Sequence, residues 1–464
     1  MSSKPNTPKG TRDFSSDQIV KRNYILKILV DSFKYFNYSE IQTPSFENLE
    51  TLIGEYEDDQ DGQMFKIISS GEKIKRADID SLNKGELIKF SNSISDKALR
   101  YDLTVPLARY VSQNLNNINF PFKRYQTQLV WRAERPQRGR YREFLQCDVD
   151  VVGDSSYLQV VESIQLCDMV FDKLGFKNLK LRINDRRILE SLSKTAGLEN
   201  FVEFAIIIDK LDKIGLDEVI KLLKDKGAND DSINNIKDLF SLSESPKDKI
   251  QKVIGSFESN LFDELSSIIS ALSKIKLNVL EIDFDLSLAR GINYYTGIVL
   301  EVSSPENSSI GSIAGGGRYD NLIQQVGKNI DLSGFGLSFG FDRIYLILEE
   351  LNLFPDNINN QKTFLFLNFD NNISEQILNS MSNLRYQGII CELYPSNVKI
   401  KKQLDYANKK NFDFVILIGE EEVKNDSFIL KNMSSGEQNS YKICLLYTSP
   451  SPRDATLSPI PSCA

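Results

Sequence analysis

Five arginines fall between positions 132 and 142: Arg132, Arg135, Arg138, Arg140 and Arg142. A guanidinium is planar, permanently charged and able to pair bidentately with phosphate or carboxylate oxygens. Pro136 and Gly139 interrupt the run, so its centre reads as a turn. A solvated basic loop would have the same local composition, and the run by itself does not separate the two. Two further arginines stand in distinctive settings. Arg290 precedes Gly291 in LARGINYYTG, where glycine permits a kink that turns the guanidinium inward, and Tyr294 and Tyr295 follow. Arg343 lies in the first turns of a helix in GFGLSFGFDRI, where free backbone N–H groups already favour anions.

Asp102 and Thr104, in LRYDLTVP, sit where a strand would meet a helix; they can face a pocket or simply cap that helix. SIAGGGRY, residues 312–319, is glycine-rich but lacks the GxxxxGK[ST] spacing of a phosphate loop. The chain contains no histidine. Serine–histidine and cysteine–histidine catalysis are excluded, as are histidine-ligated metals. Cys147, Cys167, Cys391, Cys444 and Cys463 form no CxxC pair, hence neither a zinc site nor a disulfide framework. Chemistry must rest on arginine, carboxylates, hydroxyls or a magnesium ion.

Alternating patterns predict the elements that hold these groups. Tyr125 to Trp131 and Phe144 to Val152 read as an antiparallel hairpin around the arginine turn, with Asp148 and Asp150 on one face and apolar residues on the other. Before it come a helix over Gln18–Tyr35, a strand over Tyr38–Pro44, a helix over Phe46–Leu52, a strand over Met64–Ile68, a polar loop over 71–97 and a strand over Leu99–Leu103. Thr104 is placed as a helix cap, with Pro106 in the first turn. After it come a helix over Ser155–Leu174, a strand over 179–185, helical spacing through a Lys/Asp/Ser/Leu-rich stretch, two strands flanking ARGINYYTG and a strand-to-helix unit over 334–351. Residues 362–443 alternate β-α-β-α-β, and their helix from Val398 carries Lys399, Lys401, Lys402, Lys409 and Lys410.

These patterns divide the chain into 1–185 with 276–352, a helical insertion 186–275, an α/β domain 362–443, and a tail 444–464. The tail, CLLYTSPSPRDATLSPIPSCA, holds four of the fourteen prolines, resembles a translated sequencing adapter and reads as foreign and disordered. With 464 residues, 41% hydrophobic and 26% charged, the composition is that of a soluble globular protein. No apolar run is long enough to span a membrane, and the start has no apolar signal core, so the expected location is cytoplasmic. A net charge of -8 argues against a general nucleic-acid coat but leaves room for a local basic surface.

Taken together, the segments resemble the histidyl-tRNA synthetases of the class II aminoacyl-tRNA synthetase family over nearly all of residues 5–443. PKGTRDF resembles that family's N-terminal signature, the helix–strand ending at Pro44 its motif 1, WRAERPQRGRYREF its motif 2 and GFGLSFGFDRI its motif 3. LARGINYYTG, followed by GGGRYD, resembles its histidine-specific motif. The resemblance implies an α+β catalytic domain, an antiparallel class II synthetase sheet flanked by helices, with a helical insertion and a C-terminal α/β anticodon-binding domain. It implies a histidine–tRNA ligase: a homodimer that makes histidyl-adenylate from histidine and ATP with Mg²⁺, releases pyrophosphate, and transfers histidine to the 3′ end of tRNA(His). By position, Arg132 and Arg290 would be catalytic. Arg132, Arg140, Phe144 and Arg343 would bind ATP. Asp102, Thr104 and Gln146 would hold the amino group of histidine, Arg132 its carboxylate, and Asp150, Tyr294 and Tyr295 its imidazole end, with Arg290 opposite the α-phosphate. The family more often has Glu where this chain has Asp102 and Asp150, and often His where it has Ala133.

This assignment makes chemical sense. Histidine's carboxylate is already a nucleophile; the obstacle is that one anion must attack another, which arginines and Mg²⁺ relieve. A rival from another class is a histidine sensor like the regulatory subunit of ATP phosphoribosyltransferase, which typically lacks the last domain and the full arginine set. A threonyl or prolyl synthetase is disfavoured by ARGINYY.

Overall fold

Helix α1 (Ser16–Tyr35) starts at a reciprocal cap, in which Ser15 and Gln18 each accept the other's backbone N–H. Its Ile25, Leu29 and Phe33, at four-residue spacing, are fully buried. The computed structural model describes residues 5–53, 64–242, 244–254, 262–290, 295–305, 310–327, 331–356, 358 and 361–443. The chain forms two units, Met1–Phe354 and Pro355–Ala464.

After α1 come β1 (Ser39–Glu40), β2 (Phe46–Asn48), α2 (Leu49–Ile53), β3 (Lys66–Ile68), α3 (Ile79–Asn83), α4 (Leu87–Ile94), β4 (Ser95–Leu99) and α5 (Thr104–Gln113). Several expectations are corrected here. The strand over Tyr38–Pro44 shrinks to two residues, because Thr43 and Pro44 turn their carbonyls to the buried Arg100 guanidinium. Phe46 begins a strand rather than a helix, since Phe46 pairs with Leu99 in a small sheet ordered β2-β4-β3. The stretch 71–97 is not a loop: it holds two short helices, one capped by the Asp78 carboxylate on the Ser81 N–H. Helices of five and eight residues are too short to display a clear period. The strand expected over Leu99–Leu103 ends at Leu99, and Thr104 is the first residue of α5 rather than its cap. The capping acceptor is Asp102, whose Oδ1 takes the Val105 N–H at 3.3 Å.

The chain continues through β5 (Phe122–Trp131), β6 (Glu143–Val152), α6 (Tyr157–Lys173) and β7 (Leu179–Asp185). Among the described residues, seven helices follow: α7 (Arg186–Thr195), α8 (Phe201–Ile208), α9 (Leu211–Ile214), α10 (Leu216–Asp225), α11 (Asp230–Phe240), α12 (Pro246–Ile254) and α13 (Asp263–Leu272). Then come β8 (Leu280–Phe284), β9 (Ile298–Val302), β10 (Ala314–Arg318), α14 (Asp320–Gly327), β11 (Gly334–Phe339) and α15 (Phe341–Glu350). The eight-stranded sheet is ordered β1-β5-β6-β11-β10-β9-β7-β8. All of its pairings are antiparallel except β1 with β5 and β7 with β8 at the two ends.

Register separates the two faces of this sheet. On one face, Tyr125, Cys147, Val149, Val151, Phe335, Leu337, Phe339, Leu300 and Ile183 join α1 and α6 in a continuous core. Apolar residues of α7, α8, α10 and α13, such as Leu189, Phe204, Leu223 and Ile268, belong to that same core. The other face runs through Gln126, Gln128, Gln146, Asp148, Asp150, Ser338, Gly336, Gly315, Gly317 and Glu301, which are neighbours in the pairing. One face is therefore an ordinary core, while the other is polar and nearly bare across its middle strands.

The second unit contains β12 (Thr363–Phe366), α16 (Asn371–Tyr386), β13 (Ile390–Leu393), α17 (Ile400–Lys409), β14 (Phe414–Leu417), α18 (Glu420–Lys424), β15 (Ser427–Asn432) and β16 (Gln438–Lys442). Its sheet is ordered β13-β12-β14-β15-β16, three parallel strands extended by an antiparallel hairpin. Each face has its own apolar cluster, one around Met381 and Ile416 and one around Leu365 and Val415. The tail read as foreign lies outside the described residues. Among the described residues, no helix is long and apolar enough to cross a membrane.

Candidate active site

The guanidinium groups converge at the open end of the polar face. Arg132 leaves β5 with its Nε donating to the Tyr101 carbonyl at 3.0 Å and its Cζ 5.1 Å from the centre of the Phe144 ring. Arg343, in the first turn of α15, donates to the Ser312 carbonyl at 2.7 Å and the Gly139 carbonyl at 3.3 Å. It thereby joins the arginine turn to the segment entering β10. Arg290 pairs with Glu301 and with the Ser312 hydroxyl. Arg140 is exposed, with Glu134 at 3.9 Å. Burial pushes the Arg343 guanidinium down to about 10, and the like charges of Arg140, Arg290 and Arg132 push the same way, against Glu301. The three other cations are thus close enough to destabilise the Arg343 charge, and an anion placed among them would relieve that repulsion. The remaining arginines of the turn do other work. Arg138 pairs with Glu350, Arg142 donates through Nε to the Glu134 carbonyl, and Arg135 is exposed.

The glycine-rich SIAGGGRY is a strand, not a phosphate loop, and its glycines clear the floor of the site. A Cβ on Gly315 would lie 2.5 Å from Arg290 Nη1, and one on Gly317 would lie 2.9 Å from the Tyr295 ring. On the neighbouring strand, a Cβ on Gly336 would lie 2.1 Å from Asp150 Oδ1. Three candidate residues therefore occupy space that side chains of β10 and β11 would fill. Tyr294 and Gly291 fall outside the described residues; Tyr295 is almost fully buried.

Deeper on the same face sit buried acids. Asp150 accepts from the Tyr319 hydroxyl at 2.5 Å and pairs with the wholly buried Arg124 at 2.7 Å. Arg124 also reaches the Leu103 carbonyl at 3.3 Å, just before α5. A carboxylate has about four acceptor positions, so Asp150 keeps capacity for another donor. Gln146 donates to Asp148 at 2.7 Å, while Asp102 and Thr104 occupy the start of α5. Burial raises Asp102 to about 6, against Val105 N–H, Arg132 and Arg124, and raises Asp148 to about 7, against Arg124. Both values exceed the unfolded carboxylate value of about 3.9. The stability these groups contribute is therefore full below the unfolded value and is lost as pH rises through 6 to 7. Between about pH 5 and 8, thermal melts of ligand-free Asp148→Asn should lose less Tm than the unaltered protein; an identical loss would refute this.

Sequence reasoning missed Arg124, Tyr319 and the purpose of PKGTRDF. Arg124, Gln126 and Gln128 share a parity in β5, which was the available signal for a second polar strand. Residues 8–14 form a strap over the arginine turn. The Gly10 carbonyl accepts from the Arg142 N–H at 2.9 Å, Arg12 stacks 3.2 Å from the Tyr141 ring centre, and Arg12 and Arg22 pair with Asp342 at 2.8 and 2.5 Å. Asp342 adjoins Arg343, so the strap braces both arginine-bearing elements. Gly10 has φ +89°, and a Cβ there would sit 2.8 Å from Arg142 Cγ and Pro136 Cγ. Gly10→Ala is expected to cost about 1–3 kcal/mol through backbone strain and to loosen the turn, raising KM for the anionic ligand. Thermal melts and steady-state kinetics would check it, and wild-type values for both would refute it.

Comparison with known proteins gives a consistent result. The family model described as histidyl-tRNA synthetase matches residues 10–344, and that described as anticodon binding domain matches residues 359–445. The chain is 47% identical over 446 residues to a histidine–tRNA ligase of Christiangramia forsetii, covering 95% of this chain and 98% of that one. It is 44% identical over 464 residues to that of Flavobacterium johnsoniae, with the same coverage of 95% and 98%. The solved histidyl-tRNA synthetase from Nostoc sp. PCC 7120 superposes with a TM-score of 0.77 at 26% identity, covering 95% of this chain and 97% of that one.

Proposed function

The chain belongs to the histidyl-tRNA synthetase family, and from that premise we propose how its residues carry out the two half-reactions: formation of histidyl-adenylate with release of pyrophosphate, then transfer of histidine to the 3′ end of tRNA(His). The observation that carries this reading is the convergence of Arg132, Arg140 and Arg290 on Arg343, whose guanidinium their like charges lower and an anion placed among them would relieve. Arg140 and Arg343 hold ATP, with Phe144 stacked on adenine. Arg132 bridges the α-phosphate and the amino-acid carboxylate, and Arg290, paired with Glu301 of β9 and with Ser312 just before β10, faces the same phosphate. Asp102, Thr104 and Gln146 receive the amino group, while Asp150 and Tyr295, with Tyr294, take the imidazole end. Arg124 and Tyr319 fix the Asp150 carboxylate, so its free acceptor positions point in set directions. An imidazole presents an N–H and a second nitrogen, and a side chain lacking them would leave these buried groups unpaired.

Mg²⁺ fits this site as part of the ATP complex. The pocket is lined by guanidiniums, and among the described residues no group of three acidic, cysteine or histidine ligands could hold a metal by itself. Magnesium commonly relies on phosphate oxygens, water and one or two carboxylates. When bound, it neutralises phosphate charge.

The histidine-sensor reading is disfavoured, because Arg132, Arg290 and Arg343 are all present and the anticodon-binding model matches residues 359–445. ATP–pyrophosphate exchange tested with each amino acid decides between them: exchange should occur with histidine and no other, and its absence would favour the sensor. We place the reaction in the cytoplasm and in a homodimer. Support for the dimer comes from Phe46, Ile68, Ile79, Leu87 and Ile88, which are between 48% and 64% exposed on the small sheet and the helices joined to it. Clustered apolar exposure of this kind marks an association surface. Sedimentation should give twice the 52.8 kDa chain mass at micromolar concentration; a monomer would refute the dimer.

A further inference from the structure

We propose that Asp148 is a positioning residue: it fixes the Gln146 amide so that its oxygen, not its NH₂ group, meets the α-ammonium of the bound amino acid. The inference rests on the reading that Gln146 receives the amino group. Gln146 and Asp148 are alternate residues of β6 on the polar face, 7% and 3% exposed. Gln146 Nε2 donates to Asp148 Oδ2 at 2.7 Å, and Gln146 Oε1 is buried with no hydrogen-bond partner. A carboxylate in its ionised form can only accept, so above the value of about 7 to which burial raises it Asp148 draws the NH₂ end of the amide and turns the oxygen away. An ammonium has three donors and no acceptor, so it needs that oxygen. Were the amide reversed, its NH₂ would face the ammonium and repel it. A buried amide oxygen left without a donor is a standing cost to the empty protein, which the ligand removes on binding.

Asp148 meets the Gln146 amide through Oδ2, and its Oδ1 is buried with no hydrogen-bond partner. Gln126 lies opposite it on β5 and Ser338 opposite it on β11. Gln126 is committed elsewhere, donating to Thr43 at 2.8 Å and Gln128 at 2.5 Å while accepting from Arg124 at 3.2 Å. A carboxylate buried only for packing would gain nothing over an apolar residue of the same size.

The test uses the full chain with Asp148→Asn, and Asp148→Ser should the first prove unstable. Asparagine can offer its own NH₂ to Gln146 Oε1, and serine can donate or accept, so both remove the bias. Each variant should raise KM for histidine tenfold or more in pyrophosphate exchange, with KM for ATP and kcat within twofold. Affinity for the des-amino analogue 3-(imidazol-4-yl)propionate, measured by calorimetry, should stay unchanged. Adding Gln146→Ala to Asp148→Asn should cost no more than Gln146→Ala alone, because the two act as one unit. An unchanged histidine KM, or equal weakening of histidine and its analogue, would overturn the proposal. Failure of the unaltered protein to exchange with histidine would instead overturn the functional reading on which it rests.

Discussion

Arg290→Ala is expected to slow histidyl-adenylate formation by about a hundredfold or more, the scale of losing one preorganised electrostatic donor. Glu301 and the Ser312 hydroxyl pair with the guanidinium, and Gly315 leaves the space it fills. Ser312 also accepts from Arg343 through its carbonyl, so the two cations are fixed relative to each other. Negative charge accumulates at the α-phosphate as the carboxylate attacks and pyrophosphate departs. A cation held there in advance stabilises the transition state more than the ground state, and only that difference speeds the chemical step. Transfer from preformed adenylate should suffer much less, because the phosphate is then part of a leaving group already bound. Arg290→Lys should recover only part of the loss, since a point charge cannot reproduce a forked contact to two partners. Single-turnover measurements of each half-reaction would decide. Near-normal activation with damaged transfer would show that Arg290 acts elsewhere.

The candidate arginines stood out because each lies within a short motif, and the hairpin was legible because ten-residue strands display a period of two. Both are properties of neighbouring residues. What was not legible depends on register. That Gly336 sits opposite Asp150, and Gly315 opposite Glu301, follows from pairing between strands far apart in the chain. The glycine-rich composition of SIAGGGRY therefore carried no assignment in the sequence, whereas in the sheet its glycines leave room above β10. Arg124 looked like one more charge before a strand, yet it is fully buried because Asp150, across the hairpin, neutralises it. Residues 71–97 looked polar throughout, since the short helices there leave Leu87 and Ile88 exposed rather than packed inward. The break after Leu99 was hidden for a similar reason. Arg100 folds beneath the hairpin, donating to the Thr43, Pro44 and Leu129 carbonyls, which no local pattern announces.

Asp150→Asn is expected to lower kcat/KM for histidine by roughly a hundredfold or more, on the scale of about 2–5 kcal/mol for breaking a buried, hydrogen-bonded charge pair. Asparagine keeps the shape that Gly336 accommodates, so the loss should be one of charge and acceptor capacity rather than of packing. Two effects add. The imidazole N–H loses an anionic acceptor, and Arg124, with no exposure to solvent, keeps a charge without its counterion. Tyr319 would still donate to the amide oxygen, which leaves the NH₂ end facing either Arg124 or the ligand, unfavourable in both cases. The profile should differ from that of Arg290→Ala. Here KM for histidine rises while KM for ATP holds, because Asp150 lies on the buried part of the polar face and the guanidiniums are untouched. Specificity should fall too: exchange with an amino acid whose side chain lacks the imidazole N–H should be little changed, narrowing the preference for histidine. Thermal melts would register the uncompensated Arg124 separately from kinetics. If Asp150→Asn raised both Michaelis constants equally, or left the histidine preference intact, Asp150 would be a structural partner of Arg124 and not the group that reads the imidazole.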